Sequence, residues 1–107
     1  MKNKVYSYLG FARKAGNLAM GYNACESAME KRSVKLLLLS ETLAENSKKK
    51  FQRKAEEQNV PLRFTRDSEG MSAAVGRQGI EVFGILDPNL ASAIRKQLDE
   101  DGQTPEK

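Results

Sequence analysis

The amino-acid sequence predicts an α/β protein, a three-layer α/β/α sandwich built on a small, mostly parallel sheet. Stripes of apolar residues at helical spacing alternate with short apolar runs along the chain. One of these runs, Val34–Leu39, is nearly continuous, which is typical of a strand covered by helices on both faces. The chain has 107 residues, a length that suits one domain.

The first third of the chain predicts two helices around a brief strand. The first helix runs from about Lys4 to Ala15 and ends at Gly16, and its apolar stripe consists of Val5, Tyr8, Leu9 and Ala12. Leu18–Met20 is short and apolar and predicts a strand. A second helix begins at Gly21 and extends to about Arg32, with a face of small residues formed by Ala24, Cys25, Ala28 and Met29.

The middle of the chain predicts the core strand Val34–Leu39 followed by a helix and a second strand. The helix runs from Asn46 or Ser47, one of which caps it, to Gln58. Its inner face consists of Phe51, Ala55 and Gln58. Pro61 prevents the helix from continuing, and alternating apolar residues from Val60 to Phe64 predict a short strand.

The last third predicts two helices around a central strand. Asp67 or Ser68 caps a helix through Val75, and Gly76–Gly79 forms a turn. Val82–Leu86 is the second central strand, and Pro88 begins a helix whose apolar stripe consists of Leu90, Ala93, Ile94 and Leu98. We therefore predict one domain over residues 1–100 and a disordered polar tail over 101–107.

Composition excludes several function classes. The chain has no histidine and one cysteine, which excludes Ser-His and Cys-His catalysis and an internal disulfide, and argues against zinc sites. The longest apolar run, Leu36–Leu39, is far shorter than the roughly 20 residues that span a bilayer. The basic start lacks the apolar segment of a signal peptide. We expect a cytoplasmic protein with no metal and no membrane contact.

Charge is distributed unevenly along the chain. Residues 1–66 hold 14 Lys and Arg against 6 Asp and Glu, whereas residues 67–107 hold 4 against 8. This asymmetry indicates a surface that faces a polyanion, although ordinary solubilising charge would give the same count.

The start of the second helix is the first candidate binding site. A helix that begins at Gly21 presents bare backbone N–H groups, Asn23 supplies an amide suited to a base edge, and Tyr22 could stack on a base or a sugar. The alternative is that Asn23 caps the helix and Tyr22 covers the edge of the core. Gly16 and Gly21 have P-loop spacing, but Tyr22-Asn23 replaces the Lys-Ser/Thr pair that a nucleotide hydrolase needs.

Two further segments are candidates for contact with phosphates. A secondary basic patch on the third helix consists of Lys48, Lys49, Lys50, Arg53 and Lys54, whose mutual repulsion bound phosphates would relieve. Arg77 and Gln78 lie in the glycine-flanked turn, and their side chains could reach a ligand bound at the N-terminus of the second helix. The alternative for the basic patch is an ordinary solvated helix face, and the alternative for Arg77 and Gln78 is an exposed turn without a ligand.

Four segments together resemble the kink-turn RNA-binding ribosomal-protein superfamily, and most closely its bacterial YlxQ-like branch. They are ARKAGNLAMGYN, VKLLLLSE, NVPLRF and SAAVGRQGIEVFGILD, within a resemblance from about Tyr6 to Leu98. The resemblance implies an α/β/α sandwich with a mixed, four-stranded sheet. It also implies binding to structured RNA, with ribosomal RNA or the ribosome as a partner.

The resemblance also implies where RNA would bind. Kink-turn binders of the superfamily open their second helix with Gly-x-Asn-Glu and a lysine three residues later, and a loop before the last strand covers a flipped-out base. Gly21 and Asn23 match this motif, whereas Ala24 and Ser27 stand in place of the Glu and the Lys. Gly76–Ile80 corresponds to the loop, and Met71-Ser72 replaces the family's Leu-Gly before it.

We therefore predict a non-catalytic, monomeric RNA-binding protein without a cofactor. Its surface would comprise the start of the second helix, the turn before the last strand, and two basic residues at the end of the first helix: Gly21, Tyr22, Asn23, Arg77, Gln78, Arg13 and Lys14. The alternatives are a protein-interaction module on the same fold that has lost kink-turn binding, and an accessory to an RNA-modifying enzyme.

Overall fold

The computed structural model describes residues 3–101, although not the side chains of the two end residues of that range. Five helices and four strands follow each other in the order α1 (Asn3–Lys14), β1 (Leu18–Met20), α2 (Tyr22–Glu30), β2 (Leu36–Ser40), α3 (Glu45–Gln58), β3 (Leu62–Thr65), α4 (Ser68–Ala74), β4 (Val82–Ile85) and α5 (Pro88–Asp101). Each predicted helix and strand is present, with ends shifted by a few residues. The tail predicted over 101–107 lies outside the described residues, apart from Asp101, which belongs to α5.

The four strands form one mixed sheet in the order β1-β4-β2-β3. β2 and β3 pair in parallel, whereas β4 is antiparallel to both of its neighbours, β1 and β2. The mixed, four-stranded sheet that the resemblance implied is therefore confirmed. The mostly parallel sheet predicted from the alternation of helices and strands is wrong, since only one of the three pairings is parallel.

The reversed direction of β4 has a local cause. β1, β2 and β3 all run the same way, as expected when a helix returns the chain across a sheet. α4 has seven residues and is only about 10 Å long. The segment after it then doubles back, so β4 begins at the end of the sheet where β3 finishes.

Helices cover both faces of the sheet and create two apolar layers. On one face, residues of α1, α4 and α5 pack against alternate strand residues such as Leu38 and Phe83. On the other face, residues of α2 and α3 pack against Leu37, Leu39 and Val82. Because β2 is buried on both sides, all five of its residues are inaccessible to solvent, as its continuous apolar sequence predicts.

α2 packs closely against the sheet at Gly84 of β4. A Cβ at this position would lie 3.4 Å from Val34 Cγ2 and 3.6 Å from both Ala19 Cβ and Cys25 Sγ, which are ordinary van der Waals distances. Cys25 of α2 therefore lies directly over β4, close to the start of the helix.

Two details of the helices differ from prediction. α3 begins at Glu45 after Ala44, and no described side chain caps it, so the predicted caps Asn46 and Ser47 lie within its first turn. Ala24 was predicted on the inner face of α2 but is exposed, whereas the other three residues of that face are buried. None of the helices within residues 3–101 combines the length and the apolar character that membrane crossing demands.

Candidate nucleic-acid interface

Three helices begin at the same end of the sheet, here called the upper end. β1, β2 and β3 finish there and β4 begins there, as the pairs Met20↔Phe83, Leu39↔Val82 and Ser40↔Thr65 show. α2, α3 and α4 each start within five residues of the strand that precedes them. Their N-terminal N–H groups and the positive ends of their dipoles therefore gather at the upper end.

The helix starts differ in how they are capped. Asp67 accepts a hydrogen bond from the Gly70 amide at 3.1 Å and closes the start of α4. Asp87 accepts one from the Leu90 amide at 2.8 Å and closes the start of α5, at the opposite end of the sheet. No described side chain caps α2 or α3. Two open helix starts therefore remain at the upper end.

The start of α2 is held open by the backbone of Gly21. This residue has φ 93° and ψ 168°, a conformation that is essentially restricted to glycine. Its N–H donates to the Val82 carbonyl at 2.8 Å, which joins the helix start to the beginning of β4. The first helical bond runs from the Cys25 amide to the Gly21 carbonyl, so three amides precede it, those of Tyr22, Asn23 and Ala24.

Asn23 is exposed at the second position of α2 and does not cap the helix. The alternative interpretation of this residue as a cap therefore does not apply. Its side-chain amide makes no capping hydrogen bond, and it lies beside the uncapped N-terminus of α2.

Tyr22 is packed against the core on one side. Its ring is half-buried and meets Phe51 edge-on, with 5.2 Å between the ring centroids. Lys50 Nζ lies 5.3 Å from the centroid of the Tyr22 ring and forms an ion pair with Glu26. Hydrogen bonds to Glu26 and Tyr22 raise the pKa of Lys50, which keeps it charged. Tyr22 thus covers the edge of the core, as the alternative interpretation held, and links α2 to α3.

The segment between α4 and β4 forms a tight loop, here called the 76–79 loop. Gly76 and Gly79 have φ of 73° and 70°, which L-residues rarely adopt. Buried Ser72 anchors the loop, since its hydroxyl accepts from the Ile80 amide at 2.9 Å and its carbonyl accepts from the Arg77 amide at 2.8 Å. Arg77 and Gln78 are exposed between the two glycines.

The end of α1 lies against the same loop. Arg13 Nη1 is 3.4 Å from the position that a Cβ on Gly76 would occupy. Arg13 and Lys14 are exposed, and both line a shallow groove of about 270 Å³ between α1 and the end of α4. No ion pair between described residues involves either side chain. The structure therefore places Arg13 beside Gly76, whereas α1 and α2 lie on opposite faces of the sheet.

Carboxylates near the upper end have partners within the protein. Glu41 pairs with Arg66 at 3.3 Å, and the Thr42 hydroxyl donates to the Glu81 carboxylate at 2.5 Å. These contacts also tie the loop after β2 to the loops on either side of it. Of the two contacts, the pairing with Arg66 offsets the charge of its carboxylate, whereas the neutral hydroxyl leaves Glu81 charged.

The secondary basic patch on α3 is divided by its contacts. Lys50 is engaged with Glu26, and Lys48 lies 5.7 Å from the centroid of the Phe64 ring and 4.0 Å from Glu45. Lys49 and Arg53 are exposed one turn apart. α3 packs beside α2 on the same face of the sheet, so the patch adjoins the start of α2 through Lys50.

Three contributing residues were not found from the sequence. Glu26 was not singled out in the sequence, yet it forms an ion pair with Lys50. Ser72 was noted only as a departure from the family pattern, yet it holds the loop. Phe11 lies outside the apolar stripe of α1 and is 60% exposed. The one sequence signal for Phe11 was that a large apolar residue stands outside the apolar stripe of its helix.

The remaining reactive group, Cys25, is buried. Burial raises the pKa of its thiol to about 12, and Sγ lies 3.4 Å from the Ala19 carbonyl. A thiol in this state is a poor nucleophile at neutral pH. Within residues 3–101, no three His, Cys, Asp or Glu residues gather in a group that could hold a metal ion.

Comparisons with known proteins agree with this architecture. A family model described as "Ribosomal protein L7Ae/L30e/S12e/Gadd45 family" matches residues 3–94. A solved structure from Bacillus halodurans C, described as a protein with unknown function, is similar with a TM-score of 0.84 at 25% sequence identity. The similarity covers 90% of this chain and 97% of that one. No curated protein matches the sequence.

Proposed function

The chain belongs to the L7Ae/L30e/S12e/Gadd45 family of ribosomal proteins, and from this membership we propose that it binds structured RNA without catalysing a reaction. The proposed surface, here called the candidate interface, comprises the start of α2, the 76–79 loop and the basic end of α1. In this proposal the protein acts as a monomer in the cytoplasm. Ribosomal RNA is the first RNA to test, because the matching family is one of ribosomal proteins.

The observation that carries the proposal is the open start of α2. Bare amides and a helix dipole attract anions or polar base edges, and an adjacent Asn can donate and accept at a base edge. The exposed Arg13 and Arg77 would hold phosphates, while the start of α2 would contact bases. The two capped helices, α4 and α5, offer no such site.

We expect Asn23→Ala to weaken binding to a fluorescently labelled hairpin RNA with an internal bulge by about ten-fold. A lost pair of base hydrogen bonds is worth about 1–3 kcal/mol. Asn23 is exposed and caps nothing, so the free energy of unfolding should change by less than about 0.5 kcal/mol. Replacement of Gly21 is a poorer test, because its φ of 93° would strain any other residue.

Asn89→Ala is the matched control for this experiment. Asn89 is also exposed at the second position of a helix, α5, but that helix is capped by Asp87 and starts at the opposite end of the sheet. Fluorescence anisotropy gives both affinities, and thermal melts check the fold. Equal affinities of the wild type and Asn23→Ala would remove the start of α2 from the interface.

A finer proposal is that the RNA contains a kink-turn, as recognised by the kink-turn binders of the superfamily. Ala24 and Ser27 are both exposed on α2, so the family's Glu and Lys fit there without repacking. We expect Ala24→Glu/Ser27→Lys to increase affinity for a kink-turn RNA by about ten-fold, or 1.4 kcal/mol. The net charge of the protein is unchanged by this pair of substitutions, so non-specific attraction stays constant.

The control RNA for this variant has its sheared G·A pairs replaced by Watson–Crick pairs. Affinity for the control RNA should not change. A gain of the same size on both RNAs, or a gain on neither, would contradict kink-turn recognition while leaving binding to other structured RNA in place.

The exposed Ala24 and Ser27 also favour one alternative, a protein-interaction module that has lost kink-turn binding. Salt dependence separates the two functions. Contact with duplex phosphates lowers the logarithm of the binding constant by roughly 0.9 per phosphate for each ten-fold rise in salt. A protein-interaction module would show RNA binding too weak to measure at physiological salt.

A further inference from the structure

Phe11 is exposed in a setting that differs from every other large apolar side chain described. It is 60% exposed, whereas the other large hydrophobic residues with described side chains are buried or half-buried. It lies on α1 one turn after Ser7 and one turn before Lys14, and both neighbours are exposed. The ring therefore presents a free face to solvent between polar residues.

The groove beside Phe11 is shaped by small residues. Gly10 on α1, and Ala74 and Gly76 at the end of α4, line it together with Phe11. A Cβ on Gly10 would lie 3.7 Å from the Ala74 carbonyl, so the two helices approach closely at this point. The result is a shallow slot next to an aromatic ring, with room for a flat group to lie against the ring.

Charge around the slot is positive. Arg13 and Lys14 line it, and α1 contains no Asp or Glu. Neither cation forms an ion pair with a described residue. The last helical carbonyls of α1 accept bonds from the backbone of the turn, including those of Phe11 and Ala12, so the cations are not needed to cap the helix.

We propose that Phe11 stacks on an unpaired base of the bound RNA, with Arg13 and Lys14 holding the phosphates on either side of that nucleotide. Aromatic rings interleaved with cations are the chemistry by which proteins bind single-stranded nucleic acid. The slot adjoins the candidate interface, because Arg13 and Gly76 of the 76–79 loop line the same groove. A protein partner would instead need a large exposed apolar patch, and Phe11 is the one exposed large apolar side chain of the groove, since Val75 is buried and the other lining residues are polar, small or charged.

The inference rests on the proposed function and adds a second element to it. The open start of α2 would bind the structured part of the RNA, and the slot at Phe11 would bind a single-stranded segment that leaves it. Arg13 and Lys14 belong to both elements, so Asn23 and Phe11 are the residues whose substitution tests each element separately.

The test uses one hairpin RNA in two forms, blunt and with a single-stranded extension that carries a fluorescent adenine analogue. Phe11→Leu keeps an apolar side chain but removes the ring, and Phe11→Tyr keeps the ring. We expect Phe11→Leu to bind the extended RNA about ten-fold more weakly than the wild type and the blunt RNA equally well. Phe11→Tyr should match the wild type on both RNAs. The emission of the adenine analogue should be quenched by the wild type and by Phe11→Tyr only.

The outcomes distinguish the two proposals. If the blunt RNA binds in a manner that depends on Asn23, but Phe11→Leu binds the extended RNA as tightly as the wild type, the inference is wrong and the proposed function stands. If the wild type binds neither RNA, both are wrong. Light scattering on RNA-free samples covers the remaining case: self-association that depends on Phe11, with unchanged RNA affinity, would assign the slot to protein contact and overturn the inference.

Discussion

An Arg13→Glu/Arg77→Glu variant is expected to bind a bulged hairpin RNA about 100-fold more weakly than the wild type. Both side chains are exposed, and Arg13 lies against the loop that carries Arg77. A hydrogen bond to a charged group contributes about 1.5–3 kcal/mol, and reversal of the charge adds repulsion from the same phosphate. The slope of the logarithm of the binding constant against the logarithm of the salt concentration should become less steep by about 1.8, the amount that corresponds to two lost phosphate contacts.

Lys35→Glu/Lys96→Glu is the matched control for this charge reversal. Both lysines are exposed, and the net charge changes by the same amount. The Lys35 amide bonds to the Ile85 carbonyl at the end of β4, opposite the upper end, and Lys96 lies on α5. We expect this variant to lose only a few-fold in affinity through the general field of the protein. If the two variants lose affinity equally, attraction to RNA is diffuse and the candidate interface is wrong.

Phe51→Ala is expected to lower the free energy of unfolding by about 3–5 kcal/mol, a large part of the 5–15 kcal/mol typical of a domain. Phe51 is fully buried between α3 and the sheet, and its ring supports the Tyr22 ring at 5.2 Å. Removal of the ring leaves a cavity at the junction of α2 and α3. Urea denaturation measures the change, with the midpoint falling at a constant slope.

Phe11→Ala provides the control for loss of a phenyl ring without loss of packing. Because Phe11 is 60% exposed, its truncation should change the free energy of unfolding by less than about 0.5 kcal/mol. The pair therefore compares the same chemical change at a buried and at an exposed position. A change below about 1 kcal/mol for Phe51→Ala would mean that the junction of α2 and α3 does not depend on this ring.

Local patterns predicted the helices and strands well because their signals lie within one segment. The stripe of Val5, Leu9 and Ala12 and the continuous run of β2 record which faces are buried. The direction of β4 could not be predicted in this way. It depends on the doubling back of the chain after α4. The glycines at Gly76 and Gly79 predict a turn but do not indicate the direction in which the chain leaves it.

The candidate interface was predictable in part. The glycine at the start of α2 and the glycine pair of the 76–79 loop stand out in the sequence because few other residues adopt their backbone conformations. Tyr22 at the edge of the core was one of the two interpretations of the sequence. Its contact with Phe51 and the pairing of Lys50 with Glu26 were not predictable, since they join residues that are more than twenty positions apart.

The position of β4 between β1 and β2 determines when the sheet can be completed during synthesis. β1 has no other neighbour in the sheet, and β2 can pair only with β3 until residues 82–85 have been made. The Val82 carbonyl, which accepts a hydrogen bond from the Gly21 amide, belongs to this late strand. In a nascent chain that lacks β4, the start of α2 has no strand to bond to, so co-translational folding completes the upper end of the sheet only in its final stage.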